Sequence, residues 1–118
     1  MEPRERRIEV AGLTLRVRDW PADGSPIVLA HGLASNSRIW DGVAPILAEQ
    51  HGHHVVALDQ RGHGLSDRPG DGSPSERFGF EAVVGDLVGL IDLLQLDRPV
   101  LVGHSWGGNV VLLSLIHI

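Results

Sequence analysis

Three short apolar runs, each ending in a polar loop that contains glycine, constrain this chain most. They are Ile27-Val28-Leu29-Ala30, Val55-Val56-Ala57-Leu58 and Val100-Leu101-Val102. None alternates between apolar and polar residues. A strand covered by helices on both faces reads this way, and such strands belong to parallel sheets. Helical patterns separate the runs. Trp40 to Gln50 carries Trp40, Val43 and Leu47 at helical spacing, with Pro45 either starting or kinking the helix. Phe80 to Leu96 carries Phe80, Val83, Val84, Leu87, Leu90, Ile91 and Leu94 as one stripe, with Glu81, Asp86, Asp92 and Gln95 off it. Asn109 to Leu115 continues as a third helix. Ahead of these, Ile8–Val10 and Leu13–Val17 read as a hairpin turning at Ala11-Gly12. The residues before it, with Arg4, Arg6 and Arg7 among Glu2, Glu5 and Glu9, read as a solvated arm. The expected architecture is α/β: an N-terminal hairpin, then a parallel β-α-β-α-β-α arrangement with right-handed crossovers. Its ligand end is where the strands finish, so the loops after Ala30, Leu58 and Val102 are the ones to inspect.

The third loop is Gly103-His104-Ser105-Trp106-Gly107-Gly108. A serine at the tip of a strand-to-helix turn presents its hydroxyl from an unfavourable backbone geometry. Glycine two positions to either side relieves the crowding. The helix that follows aims its N–H groups and positive dipole end at the same spot, which suits a developing oxyanion. The same pattern can also be only a structural glycine turn, since the chain has 15 glycines.

Several classes are excluded. The chain has 118 residues, room for one domain at most. It has no cysteine, which removes disulfides, cysteine-zinc sites and thiol nucleophiles. A net charge of -5 with no lysine argues against a nucleic-acid partner. Val110 to Ile116 is too short to span a bilayer, and no signal peptide opens the chain, so the expected location is cytoplasmic. His51, His53 and His54 cluster at a strand start, but their spacing suits no common zinc pattern, and neither metal nor cofactor is expected. Gly62-His63-Gly64 lacks the third glycine of a dinucleotide fingerprint.

The three loops together resemble the N-terminal half of an α/β-hydrolase-fold enzyme. The residues that carry the resemblance are His31-Gly32, Asp59-Gln60-Arg61-Gly62-His63-Gly64-Leu65-Ser66 and Gly103 to Gly108, in order and spacing. The resemblance implies that Ser105 is the nucleophile and that the backbone N–H groups of Leu33 and Trp106 form the oxyanion hole. His31 then braces the oxyanion loop, Gly32 allows close backbone approach, and Gly103 and Gly107 support the elbow. The Asp59–Ser66 loop shapes the surroundings without a direct catalytic role. His104 is expected to point away from the hydroxyl and to pack. Aspartate at the elbow would have implied a dehalogenase or epoxide hydrolase. Serine implies acyl transfer on a small ester, lactone or related carbonyl substrate, with a perhydrolase possible on the same residues.

In this family the acid and histidine follow the serine. After Ser105 there is no acidic residue and one histidine, His117, about 18 Å along the helix. The resemblance therefore implies a partial domain over 1–118, truncated after the elbow helix, with 115–118 foreign to it. Such a chain alone is expected to be inactive and poorly soluble. The alternatives are a hydrolase-fold ligand-binding protein and an inactive fragment. Oligomeric state is not legible.

Overall fold

The computed structural model describes residues 1–117. Strands β1 (Arg4–Val10) and β2 (Leu13–Trp20) form the hairpin, followed by β3 (Pro26–Ala30), a short 3-10 helix (Ser37–Trp40), α1 (Ala44–Glu49) and β4 (His54–Leu58). Then come α2 (Pro74–Phe78), α3 (Phe80–Leu93), β5 (Val100–Gly103) and α4 (Trp106–Ser114). The sheet order is β1-β2-β4-β3-β5. β3 pairs in parallel with β4 and with β5, whereas β2 pairs antiparallel with β1 and with β4. The expected hairpin and parallel β-α-β-α-β-α arrangement is therefore present.

The apolar runs lack alternation because both sheet faces are covered. Val28, Ala30, Val56 and Leu58 join a core with Leu15, Val17 and residues of α3 and α4. Ile27, Leu29, Val55 and Ala57 join the opposite core with Trp20, Ala44 and Ala48. This two-sided burial brings the ends of β3, β4 and β5 to one rim.

Several expectations change. The basic N-terminus is not an arm: Arg4 to Val10 all belong to β1, so the hairpin is longer than Ile8–Val10 against Leu13–Val17. Its turn has positive φ at Ala11 (51°) and Gly12 (83°), the geometry of a two-residue hairpin loop. The pattern over Trp40–Gln50 splits into the 3-10 helix and α1, with Pro45 in the first turn of α1. The buried face of α1 is Ala44 and Ala48, while Val43 is exposed. Helix α2 follows the β4 loop where the sequence reading gives no helix; Ser73 Oγ accepts the Glu76 N–H and the Glu76 carboxylate accepts the Ser73 N–H. Asp86, placed off the stripe of α3, is buried. α4 ends at Ser114 and turns continue to His117. Of the segment 115–118, Ile118 lies outside the described residues.

Candidate active site

Ser105 sits between the end of β5 and the first residue of α4 with φ 57° and ψ -121°. L-residues seldom adopt this conformation, and it persists only where surrounding structure enforces it. Three contacts do so. The His104 N–H donates to the Ala30 carbonyl (3.0 Å), which carries the β3–β5 ladder one residue further. The Gly107 N–H donates to the His104 carbonyl (3.0 Å) and the Gly108 N–H to the Ser105 carbonyl (2.8 Å). A Cβ at Gly103 would lie 2.4 Å from the Gly107 carbonyl oxygen, and one at Gly107 would lie 2.3 Å from that of Ala30. Both glycines are sterically required. Gly103 is crowded by the far side of the elbow, Gly107 by the end of β3.

The loop after β3 closes on the same point. A Cβ at Gly32 would meet the His104 carbonyl oxygen at 3.2 Å and Ser105 Cβ at 3.3 Å. Ser105 is exposed and lines a cleft of about 390 Å³ with Gly32, Leu33, Ser35, Ile39, Trp40 and His104. Among the described residues, no protein acceptor takes the N–H of Leu33 or of Trp106. The Trp106 side chain turns instead to the far side of the elbow, stacking on His63 (ring centroids 6.0 Å) and tilting against Phe80 (6.1 Å).

His31 ties the Gly32 loop to the β4 loop. It is fully buried. Its Nε2 accepts the Gln60 N–H at 2.9 Å, so the proton resides on Nδ1, which donates to the Gly32 carbonyl at 2.7 Å. Burial pushes the His31 pKa below its ordinary value, and the nearby His63 ring adds to this against the Gly32 hydrogen bond. The imidazole is thus held neutral as an acceptor–donor bridge.

Asp59 is also fully buried. Its Oδ1 accepts the Ser37 N–H (2.7 Å), and its Oδ2 accepts the Leu65 N–H (2.9 Å) and Arg16 Nε (2.8 Å). Burial alone would raise this carboxyl. The hydrogen bonds from Leu65, Ser37 and Arg16 outweigh it and hold the pKa below the usual carboxylate range. Next to it, Arg61 grips Asp86 of α3 through Nε (2.7 Å) and Nη2 (2.8 Å). Asp86, which the helical stripe leaves on the outer face, and Arg16 are both buried.

The remaining histidines separate. His104, expected to pack, is exposed and borders the cleft. His117 lines a groove with Glu81, Val84 and Val88 that shares no residue with the Ser105 cleft. His53 Nδ1 faces the Ser25 carbonyl (3.1 Å) and His54 Nε2 pairs with Asp19 (2.7 Å). Among the described residues, no three His, Asp or Glu side chains converge as a metal site would require. Ile39 and Trp40 form a cleft wall that the sequence did not reveal, because Trp40 reads equally well as a core residue.

The family model for the alpha/beta hydrolase fold matches residues 25–116. With the sheet and elbow just described, the chain belongs to the α/β-hydrolase family. It is 42% identical over 110 residues to epoxide hydrolase A of Mycobacterium tuberculosis, covering 92% of this chain and 33% of that protein. It is 36% identical over 101 residues to the non-heme chloroperoxidase of Streptomyces lividans, covering 85% of this chain and 34% of that one. The crystal structure of epoxide hydrolase A from Mycobacterium thermoresistibile matches with a TM-score of 0.84 at 33% identity, over 95% of this chain and 34% of that chain. The chain thus spans about a third of the length of these relatives. Among the described residues, no helix is long and apolar enough to cross a membrane.

Proposed function

We propose that these residues form the nucleophile and oxyanion part of a serine hydrolase site that acts on a small ester, lactone or related carbonyl compound. The observation that carries the reading is the backbone of Ser105, held at φ 57° with its side chain exposed to a cleft. In the reaction, Ser105 Oγ adds to the substrate carbonyl carbon. Negative charge grows on the carbonyl oxygen, and the free N–H groups of Leu33 and Trp106 supply its donors, aided by the N-terminal end of α4. Collapse expels the alcohol and leaves an acyl-serine, which water then cleaves. The proton acceptor for Oγ and the acid that orients it follow the serine in this fold. About two thirds of each relative's length lies outside the matched stretch.

Two of the relatives are named epoxide hydrolases, and the chemistry at position 105 argues against that reaction here. An aspartate that opens an epoxide becomes an ester, whose carbonyl water can attack. A serine would become an ether, which has no such carbonyl and would stall. The likeness to a protein named chloroperoxidase is compatible with the same acyl-serine, intercepted by hydrogen peroxide instead of water.

The test is turnover by the full-length protein carrying these residues. p-Nitrophenyl acetate is expected to be cleaved and styrene oxide left intact. Ser105→Ala is expected to lower kcat for the ester by at least about a thousandfold. Diol formation from the epoxide with no ester cleavage would overturn the proposal, as would an active Ser105→Ala.

A further inference from the structure

The β1–β2 hairpin buries charge beside the cleft. The side chains of Arg16 and Arg18 on β2 are 8% and 5% exposed. Glu5, across the hairpin on β1, joins them: its Oε2 meets Arg16 Nη1 and its Oε1 meets Arg18 Nε, each at 3.1 Å. From this bridge the two arginines reach opposite ends of one short element. Arg16 holds Asp59, whose other oxygen takes the Ser37 N–H, at the start of the 3-10 helix. Arg18 pairs through Nη1 with Asp41, the residue that closes it. Between those ends lie Ile39 and Trp40, which line the Ser105 cleft.

Burying two guanidinium groups is costly, and well-packed apolar residues of similar volume are often as stabilising or more so. Planar guanidinium forks, however, fix direction as well as distance. We propose that Glu5, Arg16 and Arg18 are positioning residues that clamp both ends of the Ser37–Trp40 element, and so set the apolar cleft wall that selects the group beside the scissile carbonyl. The selection rests on the serine hydrolase reading; the clamp itself does not. It favours uncharged, apolar groups, because Leu33, Ile39 and Trp40 face the cleft and His104 is its one ionisable side chain among the described residues.

The test compares Arg18→Met, Arg18→Lys and Val84→Ala in the full-length protein. Val84 is a buried residue of α3 outside the network, so its variant loses stability without touching the clamp. Hydrogen–deuterium exchange is followed in residues 36–43 and, as reference, in 26–30. Arg18→Met is expected to speed exchange in 36–43 by about tenfold or more over the change in 26–30, as a local opening does, whereas Val84→Ala moves both together. Arg18→Lys, which keeps a cation for Asp41, recovers part of the loss. With p-nitrophenyl esters, Arg18→Met is expected to raise KM for a branched acyl group by about fivefold, with kcat and the acetate KM changed less than about twofold. The clamp is overturned if 36–43 and 26–30 respond alike in Arg18→Met. The selective role is overturned if acetate and branched esters suffer equally. Should Arg18→Met not fold, Glu5→Gln carries the same comparison, because the Glu5 side chain is half exposed. A wild-type protein that cleaves no ester would sink the hydrolase reading, while the exchange result would still judge the clamp.

Discussion

A methyl group added at Gly103 would press on backbone, not on a side chain that could swing away. Gly103→Ala is therefore expected to cost about 1–3 kcal/mol, the range for overpacking a rigid site. Gly42→Ala, at a position with nothing within 4 Å, is the matched control and stays within about 0.5 kcal/mol. Urea midpoints compare the two. Acid behaviour is also set by single residues. The His31 pKa is depressed from 6.5, so stability present above that value is lost as pH falls below it and through the folded pKa. The Asp59 carboxyl is depressed from 3.8, so its contribution survives to lower pH and is lost only below that value. Thermal melts from about pH 7 down to about pH 2.5 are expected to show one loss setting in below 6.5 and a second setting in below 3.8. Asp59→Asn is expected to flatten only the lower one, and an unchanged acid limb would contradict this. The glycines and Ser105 were legible in the sequence because local sterics dictate them. Arg16, Arg18 and Asp86 were not. Alternation along a strand or helix assigns polar residues to solvent, and their partners, Asp59, Asp41 and Arg61, lie far along the chain.

Elements were read best where packing repeats. The stripe of α3 and the three apolar strands follow directly from the two covered faces of the sheet. The N-terminal strand was under-read, because its outward charges look like a solvated arm until β2 is placed beside it. Helix α2 was missed although Ser73-Pro74-Ser75-Glu76 spells a capping box, because five residues carry no apolar period. Between elements, the buried Arg61–Asp86 fork ties the β4 loop to α3 through two hydrogen bonds. Asp86→Ala would leave Arg61 buried without its carboxylate and is expected to cost about 3–5 kcal/mol. The double variant Arg61→Met with Asp86→Ala should recover part of that loss. Equilibrium unfolding of the wild type, Arg61→Met, Asp86→Ala and the double variant closes the cycle, and additive losses would contradict a coupled pair.

Across the whole molecule, the sheet has two edge strands, β1 rich in charge and β5 without any. β5 pairs with β3, and its outer edge has no partner strand among the described residues. Val100 on that strand is 54% exposed, and Leu112, Leu115 and Ile116 lie exposed nearby in sequence. An uncharged apolar edge of this kind is a template for association. A polypeptide of residues 1–118 alone is therefore expected to self-associate. Light scattering after gel filtration would show a mass above 12.7 kDa that falls at low concentration, and a strict monomer at high concentration would contradict the expectation.

Ser105 is the centre of the proposed chemistry, and covalent capture reads its reactivity. The full-length protein is treated with a fluorophosphonate and digested, and the modified residue is located by mass spectrometry. One phosphonylated residue, Ser105, is expected, with labelling lost when an ester substrate competes. Labelling at another residue, or an unlabelled Ser105 in a protein that still cleaves esters, would contradict the proposed chemistry.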